Sequence, residues 1–267
     1  MASSCLGAHE SVRRRVTARS LKYAARAGAG LDSWGLLTPS PSQFPPAGPP
    51  ALDSARYAAD FKEVKDYGGA TSAFRTVYQA ETATFWQNDT PTDMWDRVGD
   101  SLAEEHHYNL LRSARLLAFV NVVEADAAIA VWDAKNNFNT WRPVTAIAQA
   151  ALDGNANTDT EAGWMPLLVT PYFQEYPSGH SGVSSAATSV LASFFGANAD
   201  FTVTSNGLPG VQRSFTNFPS AIAQEADARV FAGFHFRFSC NDAAQMGVQI
   251  AGFAESTLMR PINGEED

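Results

Sequence analysis

Cysteine is nearly absent: Cys5 and Cys240 are the only two in 267 residues. Neither belongs to a C-x-x-C pair or a Cys/His cluster, which excludes a disulfide framework and argues against zinc and iron–sulfur sites. Long apolar runs are missing as well. The most apolar stretch, Leu116 to Trp132, is interrupted by Glu124 and Asp126, and Val183 to Ala197 is short and rich in serine. No segment reaches the ~20 uninterrupted apolar residues of a membrane span, so no membrane partner is expected. Basic residues are scarce in the body of the chain. Six of them (Arg13, Arg14, Arg15, Arg19, Lys22, Arg26) fall in residues 1–30 against the single acid Glu10, and beyond position 30 there are 13 basic and 27 acidic residues. So acidic a body lacks the electrostatic footprint of a nucleic-acid binder. Any anion site must therefore be a local concentration of positive charge. Alternating period-two runs and internal repeats are also lacking, which disfavours sandwiches, barrels and solenoids.

What is present is mostly helical pattern. Residues 1–30, rich in Ser, Ala and Arg, have the composition of an organelle transit peptide or of a disordered basic tail; no apolar stretch follows the arginines, as a secretory signal would require. Prolines dominate residues 31–51 and mark an extended strap. Residues 52–267 then form one α-helical domain, soluble and either cytoplasmic or carried to an organelle. Asp53-Ser54 is expected to cap a helix to about Asp66, Thr71-Ser72 one through Phe85-Trp86, and Pro91-Thr92-Asp93 to open a third. Leu110, Leu111, Ala114, Leu117, Ala118, Asn121, Val122, Ala125, Ile129 and Trp132 recur at three- and four-residue steps, predicting a central helix of roughly 25 residues. Segments 153–171 and 198–218 read as surface loops. The expected fold class is all-α, a helical bundle.

Three segments put polar, mostly cationic groups in apolar surroundings. In Lys135-Asn-Asn-Phe-Asn-Thr-Trp141-Arg142-Pro143 the two cations are seven residues apart, close to one face if the central helix continues. In Tyr176-Pro177-Ser178-Gly179-His180-Ser181 a turn feeds a run of small residues, so the exposed N–H groups of a helix start can cradle an anion. In Arg229-Val-Phe-Ala-Gly233-Phe-His235-Phe-Arg237 a helix from about Ser220 should end near Gly233, leaving His235 just past the break. Taken singly, these are surface bases, a capped helix and a core histidine. Glu104-Glu105-His106-His107 reads as a solvated helix end, since only Glu104 and His107 can share a face. Glu124 and Asp126 either pair with nearby cations or fill polar gaps.

The three segments together, K-x6-R-P, P-S-G-H and R-x5-H, resemble the signature shared by vanadium-dependent haloperoxidases and type 2 phosphatidic acid phosphatases. The resemblance covers roughly Ala118 to Gly252, and it is closest to the vanadium chloroperoxidase-like branch. Where the phosphatases commonly carry Ser and Asp, this chain has Ala228 and Ser239. The resemblance implies vanadate as cofactor, held by Lys135, Arg142 and Arg229, by the Ser178 hydroxyl and Gly179 N–H, and by His180. His235 is then the metal ligand and His180 the acid–base partner. Catalysis would rest on His180, His235 and Lys135, and Trp132 and Phe173 would wall a halide pocket. Neighbouring cations should lower the pKa of both histidines. The implied reaction is oxidation of halide by hydrogen peroxide to hypohalous acid, which then halogenates a small organic acceptor. The alternatives are a soluble acid phosphatase with His235 as phosphohistidine nucleophile, and a non-catalytic oxyanion binder. Family members usually pair two bundles in a longer chain. On that pattern the helices ahead of the strap are expected to be absent here, and a homodimer is expected with them.

Overall fold

The computed structural model describes residues 43–258. The expected targeting segment 1–30, with Cys5 and His9, and the first part of the strap lie outside them. Eight α-helices and one short hairpin make up the described fold.

Local capping chemistry sets most boundaries. Ser54 accepts from the Tyr57 N–H to start α1 (Ala55–Gly68), as its sequence position predicts. Helix α2 (Val77–Gln87) starts later than expected, at a Thr76/Gln79 capping box. Ser72 is not its cap, because its hydroxyl donates to the Asp66 carbonyl and accepts from the Phe74 and Arg75 N–H groups, closing a turn instead. Thr90 and Pro91 open α3 (Pro91–Glu105). The central helix, α4, spans Leu110–Phe138 and ends with Asn139 in the left-handed region, φ 47°. Lys135 and Arg142 therefore do not share a continuous helix: the chain breaks at Asn139, and Arg142 becomes the N-cap residue of α5 (Pro143–Ala148). After the long loop 149–178 come α6 (Gly179–Phe195), α7 (Phe218–Phe231) and α8 (Arg237–Thr257).

The expected surface loop 198–218 holds an antiparallel hairpin instead, β1 (Phe201–Thr204) with β2 (Gln212–Phe215), Phe201 opposite Phe215. Four residues are too few for a period of two to stand out from chance. What stabilises the hairpin is packing: Phe201 stacks on Phe215 and Phe218 at centroid distances of 5.6 and 4.7 Å.

Helix α6 is the centre of the bundle, packed against α3, α4, α7 and α8. Its small residues allow this. A Cβ at Gly247 of α8 would lie 2.2 Å from the Gly182 carbonyl, so the two backbones nearly touch. The main core gathers Trp86, Trp95, Leu116, Val120, Val123, Val190, Leu191 and Ile250. A second cluster, with Tyr57, Phe61, Ile147, Trp164, Tyr176, Phe236 and Phe238, lies behind the loop that carries His235. Tyr176 ties this cluster to the strap: its hydroxyl donates to Asp242 at 2.9 Å and accepts from the Gly48 N–H at 2.8 Å. No helix of the described residues is long and apolar enough to cross a membrane.

Candidate active site

The start of α3, the α4 stretch from Asn121 to Trp132, the start of α6, and α7 with the loop after it meet around a cavity of about 580 Å³. Trp132, Phe173, Gly179, His180, Arg229 and His235 line it. Lys135, Arg142 and Ser178 stand just behind that lining, each buried. Residues spread over 104 positions of sequence thus converge. A groove of about 610 Å³ between α6, α7 and α8 is slightly larger, but no charged side chain lines it.

Each cation is held by chain segments far from it in sequence. The Lys135 ammonium donates to the carbonyls of Gln174, Glu175 and Pro177 at 2.9, 3.0 and 2.5 Å, so all three of its protons have acceptors. Burial and the nearby Arg142 lower its pKa well below that of an ordinary lysine. Arg142 donates from Nε to the Phe173 carbonyl and from Nη1 to the Phe234 carbonyl, both at 2.9 Å, while Nη2 is buried without a partner. Arg229 donates to Gln87 Oε1 at 2.7 Å, and its Nε is likewise unpartnered. Phe173 packs beneath this charge. Its ring centroid is 5.3 Å from that of Trp132, 5.2 Å from Lys135 Nζ and 4.9 Å from the Arg142 guanidinium, within cation–π range.

His235 is 2% exposed and doubly oriented. Its Nδ1 lies 2.9 Å from Glu175 Oε1, which also accepts from the Phe236 N–H at 3.1 Å. A carboxylate there fixes the proton on Nδ1 and turns the Nε2 lone pair toward the cations, where Arg142 Nη1 lies 3.0 Å away. The loop reaches this position through Gly233, which has φ +79° and backs so closely on Gly68 that a Cβ would lie 2.5 Å from the Gly68 carbonyl. His180 follows Gly179 in the first turn of α6, where N–H groups have no intrahelical acceptor. The Asp89 carbonyl accepts from its ring, and Nε2 is buried with no partner. Burial is the largest cause lowering the pKa of both histidines, with the cations second, so both are neutral at pH 7. The direction is the one expected from the neighbouring cations, and burial adds to it.

Glu175 is the site residue that the sequence reading missed. It is fully buried, and burial raises its pKa to about 7 against the pull of Arg142 and Lys135. It orients His235 from 60 residues upstream, whereas Ser239 contributes a hydroxyl 3.4 Å from the same Nδ1. Only its place inside the Phe173–His180 segment hinted at it. Glu225 was also missed, although it precedes Arg229 by one helical turn. Its Oε1 accepts from Ser184, and burial raises its pKa to about 7. Ser178 caps α6 and accepts from the Ser181 hydroxyl at 3.1 Å. Glu104, Glu105, His106 and His107 are exposed at the end of α3, and no cluster of metal-binding residues forms among the described residues.

Lys135, Arg142 and Arg229 exceed the buried carboxylates close to them. Uncompensated buried charge is costly, and unpaired guanidinium N–H groups add to the cost. The arrangement calls for an anion with several acceptor oxygens, and the donor set suits a tetrahedral oxyanion. Fold and site together define an all-α protein with a cluster of buried cationic side chains beside two neutral histidines.

Comparison with known proteins narrows the class. The profile of the VCPO second helical-bundle domain matches residues 115–264. A bacterial vanadium-dependent iodoperoxidase superposes with a TM-score of 0.70 at 31% identity, covering 83% of this chain and 55% of that one. Holo and apo structures of bacterial vanadium-dependent chloroperoxidase share the fold, with TM-scores of 0.60 and 0.62 at 20% identity. They cover 81% of this chain, and 51% and 52% of theirs. No sequence among curated proteins matches. The chain belongs to the vanadium haloperoxidase family, and it spans about half the length of these relatives.

Proposed function

We propose that the chain is a vanadium-dependent haloperoxidase that oxidises halide with hydrogen peroxide. The observation that carries this reading is the excess of buried cationic donors around two neutral histidines in one cavity. The residues fit vanadate: His235 would bind it through Nε2, with Arg142, Arg229, Gly179 N–H and Ser178 around its oxygens and Lys135, its protons held by carbonyls, adding positive charge behind them. When bound, vanadate supplies a Lewis-acidic centre that polarises peroxide toward halide without changing its own oxidation state.

The chain's residues do the rest. Glu175 holds the His235 ring in the tautomer that leaves Nε2 unprotonated, its lone pair facing Arg142 Nη1 at 3.0 Å. His180 Nε2, neutral and unpartnered, accepts a proton from incoming peroxide and returns it to the departing product. Trp132 and Phe173 present an apolar wall that partly strips water from a halide, while the cations behind it keep anions in the cavity. Lys135 and Arg142 are braced by backbone carbonyls, so the cradle is organised before its ligand arrives.

The same His235–Glu175 pair also suits a phosphohistidine nucleophile, which keeps acid phosphatase as the second reading. Purified protein with orthovanadate should brominate a phenolic dye in a bromide- and peroxide-dependent way, and His235→Ala should abolish this. Hydrolysis of p-nitrophenyl phosphate inhibited by vanadate, without bromination, would select the phosphatase. A homodimer is part of the same reading, supported by Leu110 and Leu111, 88% and 79% exposed at the start of α4; light scattering at micromolar concentration should report two copies.

A further inference from the structure

The end of the cavity away from the cations holds a carboxyl for which the proposed chemistry has no use. Glu124 lines the cavity, is 1% exposed, and neither of its oxygens has a hydrogen-bond partner. Asn121, one turn earlier and also in the lining, commits its amide to Asp96 and to the Leu117 carbonyl. A buried carboxyl without a partner is costly, and it is accounted for when a ligand supplies the partner.

Position and charge say what kind of ligand. Glu124, Ala128 and Trp132 recur every four residues on one face of α4, so Glu124 lies about 12 Å along the axis from Trp132. At the Trp132 level Gly179 packs against the indole, placing the His180 end of the cavity there. The wall between is small and apolar, with Ala125, Ala128 and Val183. The charged groups acting on Glu124 are Asp93 and Asp96 of α3, both acidic. Across the cavity stand His180 of α6, Arg229 of α7 and His235 after it. The Glu124 end is thus acidic and the other end cationic. Such a surface rejects a carboxylate at the Glu124 end and favours an ammonium, whose three N–H groups can reach the free oxygens.

We propose that Glu124 anchors a primary ammonium group, and that the cavity takes an amine-bearing aromatic acceptor extended along α4 with its reacting ring toward His180. The word acceptor rests on the haloperoxidase reading; the amine site does not.

Calorimetry on the full chain without vanadate tests it, using tyramine and 4-ethylphenol. Tyramine should bind at least about tenfold more tightly than 4-ethylphenol, the strength of one modest buried ion pair. Glu124→Gln should remove the amine advantage and leave 4-ethylphenol binding unchanged. Burial holds the Glu124 pKa at about 9, so pairing with an ammonium at pH 7 should release close to one proton, read from the heat in buffers of different ionisation enthalpy. Equal binding of tyramine and 4-ethylphenol, or an amine preference that survives Glu124→Gln, would overturn the proposal. Dye bromination on the same preparations, after orthovanadate is added, separates the two readings. Bromination without amine preference sinks only the Glu124 site, and amine preference without bromination sinks only the haloperoxidase reading.

Discussion

Glu124→Gln should make the protein more stable at alkaline pH, by an amount that the burial of this side chain sets. In the unfolded chain the carboxyl titrates near 4.5, whereas burial, with Asp96 and Asp93 nearby, raises it to about 9 in the folded chain. Between those values the unfolded chain has released the proton and the folded chain retains it. Folding then takes up a proton, and the stability associated with this group is lost as pH rises toward 9. The slope is about 1.4 kcal/mol per pH unit, which reaches about 5 kcal/mol near pH 8; cavity water around the ionised carboxylate would reduce it to roughly 2–5 kcal/mol. Glutamine keeps the shape and has no proton to lose. The two proteins should therefore match near pH 5 and diverge steadily above it. Urea unfolding with linear extrapolation at pH 5, 7 and 8 measures this, because other titrating groups cancel in the difference. A difference that does not change with pH, or a glutamine variant less stable at pH 8, would refute the reasoning.

Arg142→Lys should cost about 2–4 kcal/mol in the same assay and abolish the thermal stabilisation by orthovanadate, since one ammonium cannot replace a guanidinium fork that bridges the Phe173 and Phe234 carbonyls. His180 is held neutral when folded, with its pKa well below the ordinary 6.5. The contribution of this ring to stability should thus be lost as pH falls below about 6.5, and the difference between wild type and His180→Gln should change there by up to about 1.4 kcal/mol per unit; identical pH profiles would count against a buried neutral ring. Gly247→Ala would place a Cβ 2.2 Å from the Gly182 carbonyl and force α6 and α8 apart, at a cost of about 2–4 kcal/mol read as a lower urea midpoint with unchanged slope.

The chain alone determined what depends on neighbours within a helical turn or two. Ser54, Pro91 and the three- and four-residue steps through α4 specify helices because caps and periodicity act over a few residues. The spacing of Lys135, Arg142, His180, Arg229 and His235 was legible for a different reason: an oxyanion needs several fixed cationic donors, and that need restricts which residues can stand there. The tertiary structure alone decided how those residues are held. Three carbonyls from 174–177 close on Lys135, Glu175 reaches His235 across 60 positions, and α4 breaks at Asn139 so that Arg142 arrives on a new helix. Pairings at such separations depend on which backbone segments pack together, which no local pattern encodes. Glu124 shows the same limit. Its sequence neighbours left it either paired or filling a gap, and only the packing of α3 and α6 around α4 shows a carboxyl enclosed in the cavity wall with no partner.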